Sequence, residues 1–206
     1  MVYQIERHLP FNIALLYDAF SLDDVDRTAI REILGREGIT PLETPDVMLM
    51  VSTGSNIVVQ AGNRRILVID QSENPTIEGS PIPSVAARVH TTVPGSLVAF
   101  GFNYDLGISQ AQPPANELLI NRFLPNREEM EALLDGDVQS VAPTIRFTRG
   151  DVRYMLGIRG ADDTHLHVHF NAEFAQTPLP GAEELARSFA SEFDVLRQTL
   201  DRVLGE

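Results

Sequence analysis

The 206-residue chain contains no cysteine, no tryptophan and no lysine. Without cysteine there are no disulfides, no thiolate nucleophile and no thiolate metal site. That fits a reducing compartment, and the expectation is a cytoplasmic protein. All sixteen basic residues are therefore arginine. Schiff-base chemistry and a P-loop lysine are excluded. Arginine in place of lysine is what a GC-rich coding sequence produces, so the pattern is read as composition rather than as selection for bidentate anion contacts. No apolar run approaches the ~20 residues of a membrane span. The opening MVYQIERHLPFN lacks both a basic region and an apolar region, so no signal peptide is expected. Positive charge is also scarce. Sixteen arginines face 29 acidic residues, a formal charge of −13. Phosphate backbones repel such a chain, so neither nucleic acid nor a membrane is an expected partner.

What the chain does have is an order of elements that starts twice. Tyr17-Asp18 in IALLYDAF returns as Tyr104-Asp105. The hairpin VSTGSNIVV, with Gly54, returns as FTRGDVRYM, with Gly150. The run from Ile66 to Gln71 returns as Leu166 to Asn171, and a Pro-led helix follows each. In the first unit a strand is expected near 11–18. A helix begun by Ser21 and Asp24 follows, with Leu22, Val25, Ala29 and Ile33 on one face and Gly35 closing it. Strands come next at about 46–52, 55–61 and 65–71, then a helix at about 83–91. The second unit has a strand at 96–106 and helical sequence at about 114–134, interrupted at Pro125-Asn126. Strands follow at about 141–149, 152–159 and 164–174. A helix at about 181–204 carries Leu185, Phe189, Phe193, Leu196, Leu200 and Val203 on one stripe.

The fold expected is α+β: internally duplicated β-α-β-β-β-α units forming a mostly antiparallel sheet of about eight strands, with helices on one face. Residues 1–206 form a single domain of two pseudo-repeats, about 1–93 and 94–206. This element order resembles the duplicated saddle of TATA-binding-protein-like folds. The resemblance implies an architecture and carries no function with it.

The sharpest local pattern is His165-Leu166-His167-Val168-His169-Phe170-Asn171-Ala172-Glu173. Alternate strand residues share a face. Leu166, Val168 and Phe170 then point to the core, and the three histidines, Asn171 and Glu173 to the other side. On the neighbouring strands Arg153, Met155 and Arg159, and Asn103 and Asp105, share that polar face. Val98, Phe100, Phe102 and Tyr104 are expected inside. Three readings follow. His167 and His169 at i and i+2 could share a metal ion with Glu173, or with Asp105, as third ligand. Arg153, Arg159, His165, His167, His169 and Asn103 could bind a small polar or anionic ligand. Or the face is simply half-exposed, or packed against another chain. No G-x-S-x-G or other nucleophile motif occurs, so no catalytic residue and no cofactor is identified. Arg149-Gly150-Asp151 reads as a hairpin turn.

The first unit differs in having strands apolar on both faces: Met48 and Met50 alternate with Val47, Leu49 and Val51, and Leu67 and Ile69 with Ile66 and Val68. Such a sheet is covered on both sides. A second copy of the chain is the expected cover, with folding-over of segments 36–46 and 72–82 as the alternative. The function expected is a soluble, homo-oligomeric, non-catalytic binding or assembly module that uses the sheet face opposite the helices for a protein or a small polar ligand. The alternative is a metal- or histidine-dependent enzyme built on the His165/His167/His169 strand.

Overall fold

The computed structural model describes residues 3–110, 112–175 and 177–205. The described residues form a mixed α+β structure with five α-helices and one ten-stranded antiparallel sheet. The strands are β1 (Tyr3–His8), β2 (Phe11–Tyr17), β3 (Ile39–Glu43), β4 (Met48–Ser52), β5 (Ile57–Gly62), β6 (Arg65–Asp70), β7 (Leu97–Gln110), β8 (Thr144–Arg149), β9 (Val152–Gly160) and β10 (His165–Phe174). The helices are α1 (Arg27–Leu34), α2 (Ile82–His90), α3 (Ala115–Phe123), α4 (Arg127–Leu134) and α5 (Ala182–Leu204).

Across the sheet the order is β3-β4-β5-β6-β2-β7-β10-β9-β8. β7 is long enough to need two partners on one side. β2 pairs with its first half, from Tyr17↔Leu97 to Asn12↔Asn103, and β1 with its second, from His8↔Leu106 to Tyr3↔Gln110. Leu9 bridges the gap by donating its N–H to the Asp105 carbonyl at 2.9 Å. Pro10 has no N–H to give, so the ladder breaks there, and β1 and β2 act as one strand interrupted by a proline.

Period-two alternation decides which side chains enter the core. On β10, Leu166, Val168, Phe170 and Ala172 are fully buried, while the histidines between them are partly exposed. The helices supply the other half of that core. α2 packs on α5, β2 and β6, α5 on β7, and α3 on β9. The buried stripe of α5 is Leu185, Phe189, Phe193, Leu196, Leu200 and Leu204, with Val203 only partly buried. Each such side chain contributes about 1.5–3 kcal/mol by leaving water. At its centre the Tyr104 ring lies 4.9 Å from that of Phe189, and the buried hydroxyl donates to the Phe189 carbonyl at 2.6 Å.

Several expectations need correction. The single helix starting at Ser21 is two pieces, because Asp26 intervenes as a cap. Leu22–Asp24 is a 3-10 turn in which Ser21 Oγ accepts from the Asp23 N–H. Asp26 Oδ1 then accepts from Ala29 at 2.9 Å and begins α1, which Gly35 ends at φ +103°. Val98 is not inside. Between Leu16↔Ala99 and Tyr17↔Leu97 it is the extra residue of a bulge, 48% exposed. Gly54 and Gly150 do not hold equivalent positions. The β4–β5 hairpin closes at Ser52↔Ile57 and the β8–β9 hairpin at Arg149↔Val152, so their loops differ in length. The β5–β6 turn is tight, with Asn63 and Arg64 both at positive φ, as a two-residue hairpin requires. β1 and β3 were not expected. β3 extends the sheet sideways beyond β4 and carries Pro41 on its edge. In the segment 72–82 the Pro75 carbonyl meets His8 Nδ1 at 2.9 Å, and Ile77 packs on the core cluster. His8 in turn touches Phe11 and, on α5, Phe193, which puts this segment at the helix side. Neither segment covers the apolar face of the first half.

Candidate functional site

Strand register converts the outer face of the sheet into rows of side chains. One row runs Val51, Val58, Ile69, Asn12, Asn103, Asn171, Met155, Arg146 from β4 to β8. The next runs Leu42, Leu49, Gln60, Leu67, Ala14, Gly101, Glu173, Arg153, Thr148 from β3 to β8. Both change character in the middle, where β2 meets β7. The first half of the face is aliphatic. The second carries arginine, histidine, asparagine and carboxylate.

The boundary is marked by three asparagines. Asn103 Nδ2 donates to Asn12 Oδ1 at 2.7 Å, and Asn171 Nδ2 donates to Asn103 Oδ1 at 2.9 Å. The ladder spans three adjacent strands and satisfies polar groups that are partly removed from water.

Farther along β10 the histidines have distinct surroundings. Asp105, on the neighbouring β7, accepts on one oxygen from His169 Nδ1 at 3.0 Å and meets His167 Nε2 at 3.2 Å. Protons on those two nitrogens leave His169 Nε2 and His167 Nδ1 as acceptors in the neutral rings. Burial pushes the His167 pKa down, and the charges of Arg159 and His169 add to that, while Asp105 opposes it. His165 is the reverse case. Its Nδ1 lies 2.8 Å from Asp162 and its Nε2 3.1 Å from Glu6, and the hydrogen bond to Asp162 raises its pKa. Asp162 is held down to about 2, first by the Thr164 N–H and then by His165.

The residues singled out from sequence are thus distributed over one face but not gathered at one point. Arg159 stands directly opposite His167. Arg153 stands opposite Glu173 and forms an ion pair with it. Glu173 is four residues from His169, about 13 Å of strand, so it is not brought to His167 and His169. Among the described residues no group of three or more His, Asp or Glu is arranged to hold a metal ion. Asn103 belongs to the asparagine ladder. Sequence reasoning missed Glu6 and Arg7, because β1 was not recognised, and Asn12 and Asp162. The signal for β1 was the length of the run from Leu97 to Gln110, too long for β2 alone to pair.

Two hollows flank His167. One of about 680 Å³ is walled by Glu6, Arg7, Gly107, Arg159, Asp162, His165 and His167, among others. The other, about 290 Å³, lies toward Thr144, Met155, Gly157 and His169. Fold and face together define a mixed α+β protein with five helices and a ten-stranded antiparallel sheet, one face of which is half aliphatic and half polar. A scan of the sequence against protein-family models finds no match, nor does a search of curated proteins. No helix among the described residues is long and apolar enough to cross a membrane.

Proposed function

We propose that the protein is a non-catalytic binding or assembly module whose working surface is the sheet face opposite the helices. The observation that carries this reading is the aliphatic half of that face. Leu49 and Val51 on β4 and Leu67 and Ile69 on β6 are partly exposed on either side of β5, whose Val58 between them is buried, and Leu42 and Val98 at its margins are 57% and 48% exposed. A second copy of the chain is the occupant this surface fits, since two such faces related by a twofold axis would cover each other, as sheets do in a sandwich. Sedimentation velocity tests it. The chain should sediment as a dimer, and Leu67→Glu should yield a folded monomer. A monomeric natural chain, or a Leu67→Glu protein still dimeric, would overturn the homodimer.

The same reading includes an internal duplication. We take β2, α1, β4–β6 and α2 as one unit and β7, α3–α4, β8–β10 and α5 as the other, with cytoplasmic residence. Support comes from strand order: outward from the central β2–β7 pair, β6, β5 and β4 on one side answer β10, β9 and β8 on the other. A TATA-binding-protein-like saddle has this order. Unequal hairpin loops and the extra strands β1 and β3 set the halves apart.

A histidine-dependent enzyme is the second reading. Asp105 orders two imidazoles and leaves an acceptor nitrogen on each, as a general base requires. Metal analysis of untagged protein, with His167→Ala as the comparison, tests its metal-dependent form. A stoichiometric transition metal lost in the variant would favour it over the binding module.

A further inference from the structure

We infer that Arg7, His167 and Arg159 form a binding site for the oxyanion group, phosphate or carboxylate, of a small organic anion. This rests on the reading that the open sheet face is the binding surface, and it gives the polar half an occupant.

The site is a single row across four adjacent strands. Arg7 on β1 is opposite Gly107 on β7, Gly107 is opposite His167 on β10, and His167 is opposite Arg159 on β9. With neighbouring strands about 4.8 Å apart, the two arginine backbones stand about 14 Å from each other. Two long cationic side chains therefore flank a glycine and an imidazole. The missing side chain at Gly107 is what makes room. A Cβ there would lie 3.1 Å from Arg7 Cγ and 3.2 Å from its Nε, so Arg7 lies across the glycine. Among the described residues neither Arg7 nor Arg159 enters an ion pair, although Arg153 on the same face does. Both arginines line the 680 Å³ hollow, and its two carboxylates, Glu6 and Asp162, are paired with His165 rather than with them.

Guanidinium forks match the planar geometry of carboxylate and phosphate oxygens. The hollow falls within the roughly 300–1,000 Å³ of small-molecule sites, larger than a bare ion needs. The anion group would lie between the arginines, with the rest of the molecule over Leu9 and the β9–β10 turn. His167 adds a linkage. Arg159 and His169, with Arg7 and His165 in the same hollow, lie on one side of its charge balance, and Asp105, with Glu6 and Asp162 beyond, on the other. An anion placed beside it favours the imidazolium, so binding should take up a proton where His167 titrates.

The test is calorimetric titration of the full, untagged chain at low ionic strength with two probes, inorganic pyrophosphate and citrate. Arg7→Gln and Arg159→Gln are the variants, and Arg88→Gln on the exposed side of α2 is the control. Binding of either probe should weaken about tenfold or more in each of the two variants and stay unchanged in the control, the loss expected of one charge-assisted hydrogen bond. Which probe binds distinguishes phosphate from carboxylate. If Arg7→Gln does not fold, Arg7→Lys keeps the charge and loses the fork, and should lie between natural chain and Arg159→Gln. Failure of both probes to bind the natural chain, or affinities indifferent to Arg7 and Arg159, would overturn the site. Dimerisation that Leu67→Glu still abolishes would then leave the assembly reading standing. Anion binding by a chain that never dimerises would have the opposite meaning.

Discussion

Asn103 donates its side-chain amide to Asn12 at 2.7 Å from the directly opposed position on the neighbouring strand. The same residue accepts from Asn171 at 2.9 Å. Because side chains alternate, a slip of one residue in either pairing would turn an asparagine into the core, so the ladder helps hold register where the two halves meet. Asn103→Ala leaves an oxygen of Asn12 and an amide of Asn171 unpaired and should cost about 1–3 kcal/mol in urea unfolding. A double-mutant cycle with Asn12→Ala should show a coupling of about 0.5–1.5 kcal/mol. Zero coupling would mean that water serves these amides equally well.

Phe193 is the test of the helix-side core. It is 7% exposed and touches His8, Phe11 and Tyr104. Phe193→Ala should destabilise by about 3–5 kcal/mol, as large-to-small aromatic changes do. A loss below about 1 kcal/mol would mean that α5 is held to the sheet elsewhere.

Glu192, also on α5, has a raised pKa because burial penalises its charge, with Tyr154 and Arg149 opposing the shift. Its Oε2 is buried without a hydrogen-bond partner. A carboxylate whose folded pKa exceeds the unfolded value destabilises the fold above that pKa, and the penalty is relieved as pH falls through it. Glu192→Gln should therefore raise thermal stability near neutral pH and have little effect under mildly acidic conditions. A variant less stable than the natural chain at pH 7 would show that the charge is compensated.

The histidines should titrate in a fixed order. His90, desolvated against the Tyr17 hydroxyl 2.9 Å away, and His167 are both pushed below the usual value of 6.5. His165 is pushed above it. Neutral His90 and His167 support the fold above pH 6.5, and that support is lost as pH falls through their lowered pKa values. The charged His165 supports it below pH 6.5, and that support fades as pH rises through its raised value. Imidazole proton shifts in an NMR titration check this directly. His167 titrating above His165 would contradict the geometry.

Local periodicity was legible, and register was not. The alternation in HLHVHFN and the stripe from Leu185 to Leu200 are set by single elements, and both appear as read. Arg7 could not be placed beside His167 from sequence, because that neighbourhood depends on two separate pairings to Gly107 and on a strand cut short by Pro10. The same ignorance made Glu173 look available to the histidines, when cross-strand register gives it to Arg153. Val98 followed the alternation until a bulge shifted it by one.

Pro41 bears on how copies of this chain can meet. It sits in β3, the outermost strand at one end of the sheet, opposite Met50. A proline there removes a donor from the row of backbone groups along which a further strand could add at that end, β8 being the opposite edge. Growth by end-to-end strand addition is interrupted at that border, and with it the route to open-ended fibres. For the proposed dimer through the broad surface, a twofold contact consumes itself, so self-assembly by that route should stop at a closed particle whatever the protein concentration.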